Sequence, residues 1–247
     1  MRARKPNPFR IGLFFALDES MGMLYNTYIF ILWRYTMADE KQSGLTQIQV
    51  DALREISNIG AGSAVTALAQ FIRKPVELEP TAEVIFNSTA DFRMLFAGMP
   101  LVSVVSSKIP DKIAGHLLVI FEQEDTVSLA KLLLGEQASS EFIITDELGI
   151  SAIKEVSGVM FSAYSAAMGN MASMSLMITP PSFDTGATTM VFDELSVNQS
   201  IKEEEITICF ESSFSINAAI RIPGYMLFVP TPVSLNVLLK SLGVNNT

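Results

Sequence analysis

The chain predicts an α/β fold: a pseudo-twofold duplicated sandwich with one continuous, mainly antiparallel sheet and two long repeat-related helices. Three observations predict it. Two helical segments share one frame, Asp51-Ala-Leu-Arg-Glu55-Ile-Ser-Asn58-Ile-Gly-Ala-Gly62 and Ser151-Ala-Ile-Lys-Glu155-Val-Ser-Gly158-Val-Met-Phe-Ser162, with Glu155 at the position of Glu55 (155 − 55 = 100). Each helix is followed by short apolar runs of strand type. A closing phrase also recurs, Ser128-Leu-Ala-Lys-Leu-Leu-Leu-Gly135 answering Ser234-Leu-Asn-Val-Leu-Leu-Lys-Ser-Leu-Gly243. The domain is expected at 37–247, with repeats at 45–140 and 141–247.

Residues 1–36 stand apart. Arg2, Arg4, Lys5 and Arg10 precede the apolar Ile11 to Leu17, but Asp18 and Glu19 follow at once and no small-residue cleavage site appears. The run Met21 to Trp33 contains Asn26 and is too short for an ordinary membrane span. Met37-Ala-Asp-Glu-Lys41 has the character of a natural start, so 1–36 is expected to be a non-native or disordered leader, the alternative being a membrane-surface anchor. No stable membrane insertion is expected.

The first long helix begins at Thr46, with Gln49 three residues on in the capping-box pattern. At about 100° per residue, positions 51, 55 and 58 share an arc of roughly 60°. The apolar stripe is expected opposite them, at Ala52, Leu53, Ile56, Ile59, Ser63 and Ala67, which leaves Asp51, Glu55 and Asn58 facing outward. In the second helix the buried side is expected at Ile153, Val156, Val159, Met160 and Ala163, with Ser151 and Glu155 open. Gly158 stands where the amide of the first copy stands. A Glu and an Asn three apart on a helix surface are usually only solvated. Gly60 and Gly62 add a reason to look further: each costs about 1 kcal/mol relative to alanine inside a helix, so close approach of another backbone is expected there.

Further strands are expected at Val84–Phe86, Leu101–Ser107, Gly115–Phe121, Thr188–Phe192, Glu205–Ser212, Ser215–Ile222 and Gly224–Val229. Short helices are expected from Thr126 to Leu134, ending at Gly135, and from Pro232 to Leu242, ending at Gly243.

The pattern Asp/Ser-x3-Glu-x2-Asn, followed about two dozen residues later by Pro, resembles that of the CheC/CheX/FliY phosphatases of chemotaxis. The resemblance runs from roughly Leu45 to the C-terminus and includes the duplication. The family's spacing is kept from Gly158 to Pro181 and is one residue shorter from Asn58 to Pro80. The resemblance implies a protein aspartyl-phosphate phosphatase acting on a phosphorylated CheY-like response regulator. In that role Glu55 pairs with the regulator's active-site lysine, Asn58 orients the attacking water, and Asp51 supports them. Ser151, Glu155 and Gly158 form a degenerate second site, because Gly158 cannot orient water. The chain needs no cofactor of its own, since Mg2+ is expected on the regulator. The alternative it implies is a non-catalytic chemotaxis adaptor that binds CheD or a flagellar switch component.

Composition fits a cytoplasmic globular protein, and a monomer is expected. The 247 residues are 49% hydrophobic with net charge −9, enough for one domain with a substantial core. Residues 1–36 hold five basic and two acidic groups, leaving 17 − 5 = 12 basic against 26 − 2 = 24 acidic beyond them. That balance disfavours nucleic acid as a partner. The single Cys209, in Ile206-Thr-Ile-Cys-Phe210, allows no intramolecular disulfide and is expected to be a buried structural thiol. The lone His116 has no His or Cys near it in sequence, and no metal site is expected.

Overall fold

The computed structural model describes residues 45–78, 84–87, 96, 99–110, 112–135, 146–191, 193, 207–210, 214–216, 220–222 and 224–244. All belong to one compact unit, Glu40–Thr247. The leader 1–36 and Pro80 lie outside the described residues.

The first long helix, α1 (Gln47–Ile72), starts where Thr46 and Gln49 place it. The Thr46 backbone N–H donates to Gln49 Oε1 at 2.9 Å, and Gln49 Nε2 donates to Val244 O at 3.1 Å, so one buried side chain caps the helix and anchors a distant segment. The second long helix, α3 (Glu147–Met171), repeats this plan 100 residues on, with N-caps at Thr46 and Asp146. Both helices run into a left-handed residue, Arg73 (φ 53°) and Ser173 (φ 54°). Beyond it the Lys74 N–H donates to Ala69 O at 3.3 Å and the Met174 N–H to Gly169 O at 2.7 Å, which satisfies carbonyls the helix end would leave open. The frame therefore holds through both caps, and the shorter spacing to Pro80 arises after them.

The buried positions of α1 are Gln49, Val50, Leu53, Ile56, Ser57, Gly60, Ala61, Ala64, Val65 and Leu68. Adding 100 gives the buried set of α3 except that Ile150 drops out and Gly169 enters. The expected stripes are thus correct at Leu53, Ile56, Ile153, Val156 and Met160 and wrong in phase elsewhere. Ile59 is 39% exposed, and Ala52, Ser63, Ala67, Val159 and Ala163 are only partly covered. The cause is the contact of α1 with α3. Where α1 presents Gly60, Ala61 and Ala64, α3 presents Met160, Phe161 and Tyr164 at the equivalent positions. The ring of Tyr164 lies where a Cβ on Gly60 would stand, so the small residue on one helix makes room for the large one on the other. Burial pushes the Tyr164 hydroxyl well above the usual tyrosine range.

The strands are β1 (Val76–Leu78), β2 (Val84–Asn87), β3 (Leu101–Ile109), β4 (Gly115–Glu122), β5 (Ser182–Ala187), β6 (Thr207–Phe210), β7 (Phe214–Ile216), β8 (Ile220–Ile222) and β9 (Tyr225–Pro230). Six form one antiparallel sheet in the order β2-β6-β9-β4-β3-β5. The order is symmetric about the β9–β4 pair: β2 of the first repeat joins β6 of the second, and β5 of the second joins β3 of the first. Each repeat lends an edge strand to the other, so the sheet is continuous across the duplication. Helices α2 (Gln123–Leu134) and α4 (Pro232–Ser241) follow β4 and β9, and α2 packs on α3 while α4 packs on α1. Val105, Leu117, Val119, Phe121, Met226 and Phe228 fill the core between sheet and helices. No helix among the described residues is long and apolar enough to cross a membrane.

Two strand expectations and one helix start change. Thr188 to Val191 is helical, and the strand precedes it as Ser182–Ala187. That strand is too polar to show apolar alternation. It is held instead by hydroxyl pairs across the sheet, Ser106 Oγ to Ser182 Oγ at 2.6 Å and Ser103 Oγ to Thr185 Oγ1 at 3.1 Å. The expected strand Ser215–Ile222 is two, β7 and β8, paired antiparallel. They form with β1, which sequence periodicity missed, a separate three-stranded sheet. Helix α2 starts at Gln123, one turn before the expected Thr126, whose hydroxyl donates to Glu122 O at 3.0 Å.

Candidate functional site

The interlock of α1 with α3 turns one face of each helix inward and commits the other outward. On α1 the outward face carries Asp51, Glu55 and Asn58, all exposed. Their spacing predicted this, because Ile56, Ser57 and Gly60 are locked inward between them. Among the described residues neither Glu55 nor Asn58 is engaged by another side chain, so carboxylate and amide both face solvent.

Asp51 differs from its neighbours. Its Oδ1 accepts from Gln47 Nε2 at 3.1 Å and from Arg54 Nη1 at 2.9 Å. This exposed pair contributes between zero and about 1 kcal/mol of stability. Its local effect is to fix where Arg54 goes: the guanidinium is held one turn toward the helix N-terminus, away from Asn58. Arg54 was not anticipated as part of this face, although its i,i+3 spacing from Asp51 was legible. Also missed were Ile48 (69% exposed) and Leu148 (53% exposed), apolar residues at equivalent positions beside the two outward faces.

On α3, Ser151 and Glu155 are exposed in the same arrangement and Gly158 is half-covered. A Cβ placed on Gly158 would lie 3.3 Å from Pro181 Cγ, so the proline that sequence spacing linked to this position does sit over it. The face keeps its acid and lacks any amide.

Of the two glycines in α1, Gly60 is accounted for. An added Cβ would lie 2.6 Å from Cε2 of the Tyr164 ring, so the close approach expected there comes from a side chain, not a backbone. At Gly62 an added Cβ meets none of the described residues outside the helix's own backbone within 4 Å.

The chain is thus a duplicated α/β sandwich that offers an acid and an amide on one exposed helix face, the face on which the resemblance to the CheC/CheX/FliY family rests. Comparison with known proteins agrees. The model of the CheC-like family matches residues 48–80, the stretch that holds Asp51, Glu55 and Asn58. The chain is 23% identical over 207 residues to the CheY-P phosphatase CheC of Bacillus subtilis, covering 82% of this chain and 98% of that protein. It is 27% identical over 138 residues to the flagellar motor switch phosphatase FliY of the same organism, which covers 56% of this chain and only 35% of FliY. Among solved structures, Thermotoga maritima FliY superposes with a TM-score of 0.65 at 19% identity, covering 82% of this chain and 100% of that one. The FliM middle domain of H. pylori gives 0.55 at 16% identity, covering 80% and 99%. These two likenesses show the fold. Taken with the helix motif, the matches support a place for the chain in the CheC-type chemotaxis phosphatase family.

Proposed function

We propose that the chain hydrolyses the aspartyl phosphate of a CheY-like response regulator in the cytoplasm, through Glu55 and Asn58. The observation that carries this reading is the pair itself: two functional groups one turn apart on an outward helix face, free of side-chain partners among the described residues, in the segment that the family model matches. Phosphoryl transfer asks little covalent chemistry of a protein and much positioning. The Glu55 carboxylate would accept from the ammonium of the regulator's lysine, which sets the helix against the phosphorylated pocket. The Asn58 amide can donate and accept at once, so it can hold a water between itself and the phosphorus in line with the leaving aspartate oxygen. The Mg2+ that neutralises developing charge would belong to the regulator. With Gly158 in place of the amide, the α3 face would have no group to hold that water.

The test is phosphate release from a phosphorylated regulator by the parent chain and by Asn58→Ala. The substitution should cut turnover by about 10²-fold or more, the scale seen when one donor is removed from a preorganised site, while regulator binding persists. Equal turnover by both chains overturns the assignment of Asn58. A parent chain that binds regulator with no turnover at all makes it an adaptor, the reading in which CheD or a flagellar switch component is the partner.

A further inference from the structure

Glycine weakens a helix interior relative to alanine, and α1 carries two. Gly60 is required by the Tyr164 ring. Gly62 has no such reason among the described residues: beyond its own helix backbone none of their atoms would meet its Cβ within 4 Å, its backbone is not in the left-handed region, and α1 continues to Ile72. Its place on the helix is informative. At 100° per residue it projects between Asn58 and Glu55, about 40° from the first and about 20° from the second, and about 6 Å along the axis beyond Asn58.

A second observation points the same way. In α3 the equivalent residue is Ser162, which is exposed and whose Oγ donates to Gly158 O at 2.7 Å. The open glycine and the amide are present together in α1 and absent together in α3. That coupling is expected if both serve one contact.

We propose that Gly62 is a positioning residue for the dephosphorylation reaction, a bare stretch of helix against which the phosphorylated regulator's backbone seats. This rests on the phosphatase reading above. A side chain at 62 would stand on the same line as Glu55 and Asn58, one turn further on, and would hold the partner off the helix there. Displacement on the ångström scale at that point would carry the phosphoryl group out of reach of the water held by Asn58. The occupant is the regulator, because the seat lies on the face whose carboxylate and amide it needs.

The experiment uses the full chain with Gly62→Ala and Gly62→Ser, and Asn58→Ala in parallel. Three quantities are read: the thermal midpoint, turnover of phosphorylated regulator, and the Kd for regulator loaded with beryllofluoride, which mimics the aspartyl phosphate without being hydrolysed. Gly62→Ala should raise the midpoint and weaken binding by about tenfold or more, the scale on which one methyl group acts at a packed contact. Gly62→Ser should weaken binding as well. Asn58→Ala should remove turnover and leave the Kd near that of the parent. A raised midpoint with unchanged Kd and turnover in Gly62→Ala overturns the proposal while leaving the phosphatase reading intact. A lowered midpoint overturns it too, by showing a packing role inside the chain. Full turnover by Asn58→Ala overturns the reading on which the proposal rests, whatever Gly62→Ala does.

Discussion

The ring of Tyr164 occupies the space a side chain at Gly60 would need, with Cε2 2.6 Å and Cδ2 2.8 Å from where a Cβ would stand. Tyr164 is fully buried and also rests against Phe228, at a ring-centroid distance of 6.5 Å, so it cannot swing away. Gly60→Ala should therefore destabilise the fold by about 1 to 3 kcal/mol through overpacking, despite the better helix propensity of alanine. Urea denaturation measures it, and a rise in the midpoint concentration would show that the α1–α3 contact yields more easily than its geometry implies.

Gln49 is 2% exposed and holds two bonds at once, to the Thr46 N–H and to Val244 O. Gln49→Ala removes half of the capping box and leaves a carbonyl without its donor, a loss of about 1 to 3 kcal/mol. Gln49→Glu keeps the bond to Thr46 and cannot donate to Val244, so it should fall between parent and alanine. If both variants melt with the parent, the link between helix start and C-terminal segment contributes nothing measurable.

The second repeat offers a gain-of-function test. Glu155→Ala should leave turnover within about twofold of the parent, because its face has no amide to position water. In an Asn58→Ala background, Gly158→Asn combined with Ser162→Gly, which clears the position equivalent to Gly62, should restore measurable hydrolysis. The new Cβ needs only a few tenths of an ångström from Pro181, whose ring belongs to an irregular, partly exposed segment able to shift. Glu155 and Ser151 already stand where the motif requires them. Correct folding with no recovered turnover would mean that α3 no longer seats a regulator.

Asp125, at the start of α2, is the carboxyl whose acidity departs most usefully from the ordinary. Partial burial, then the charges of Glu122 and Glu124, raise it from 3.8 to about 6. Because the folded value lies above the unfolded one, the folded state holds the proton more tightly, and this group's contribution falls as pH rises from about 4 to about 6. Above that window a charged Asp125 opposes folding. Asp125→Asn should then stabilise the protein at pH 7 by a few tenths of a kcal/mol and by no more than about 1, since solvent screening and the favourable helix N-terminus both reduce the effect. At pH 3.5 the two chains should melt together, and a gain that persists there would assign the effect to packing.

The outward trio, the missing amide at Gly158 and the start of the first long helix were legible in the chain because they are local. They follow from the 3.6-residue period and from Thr46, Gln49 and the 100-residue frame, and no distant contact is needed to place Glu55 and Asn58 on one face. The phase of the buried stripe was not legible. Ser57, Gly60, Ala61 and Ala64 are too small or polar to count as core by hydropathy, yet they are buried, while Ile59 is left 39% exposed. What buries them is the packing of α1 against α3, in which the ring of Tyr164 fills the space beside Gly60. The polar strand Ser182–Ala187 was missed for the same reason, since its partner is the distant β3, which pairs with it along the backbone and through the hydroxyls of Ser103 and Ser106. Only the tertiary structure separates the two glycines, because only there does Tyr164 fill the space beside Gly60 while no described residue stands against Gly62.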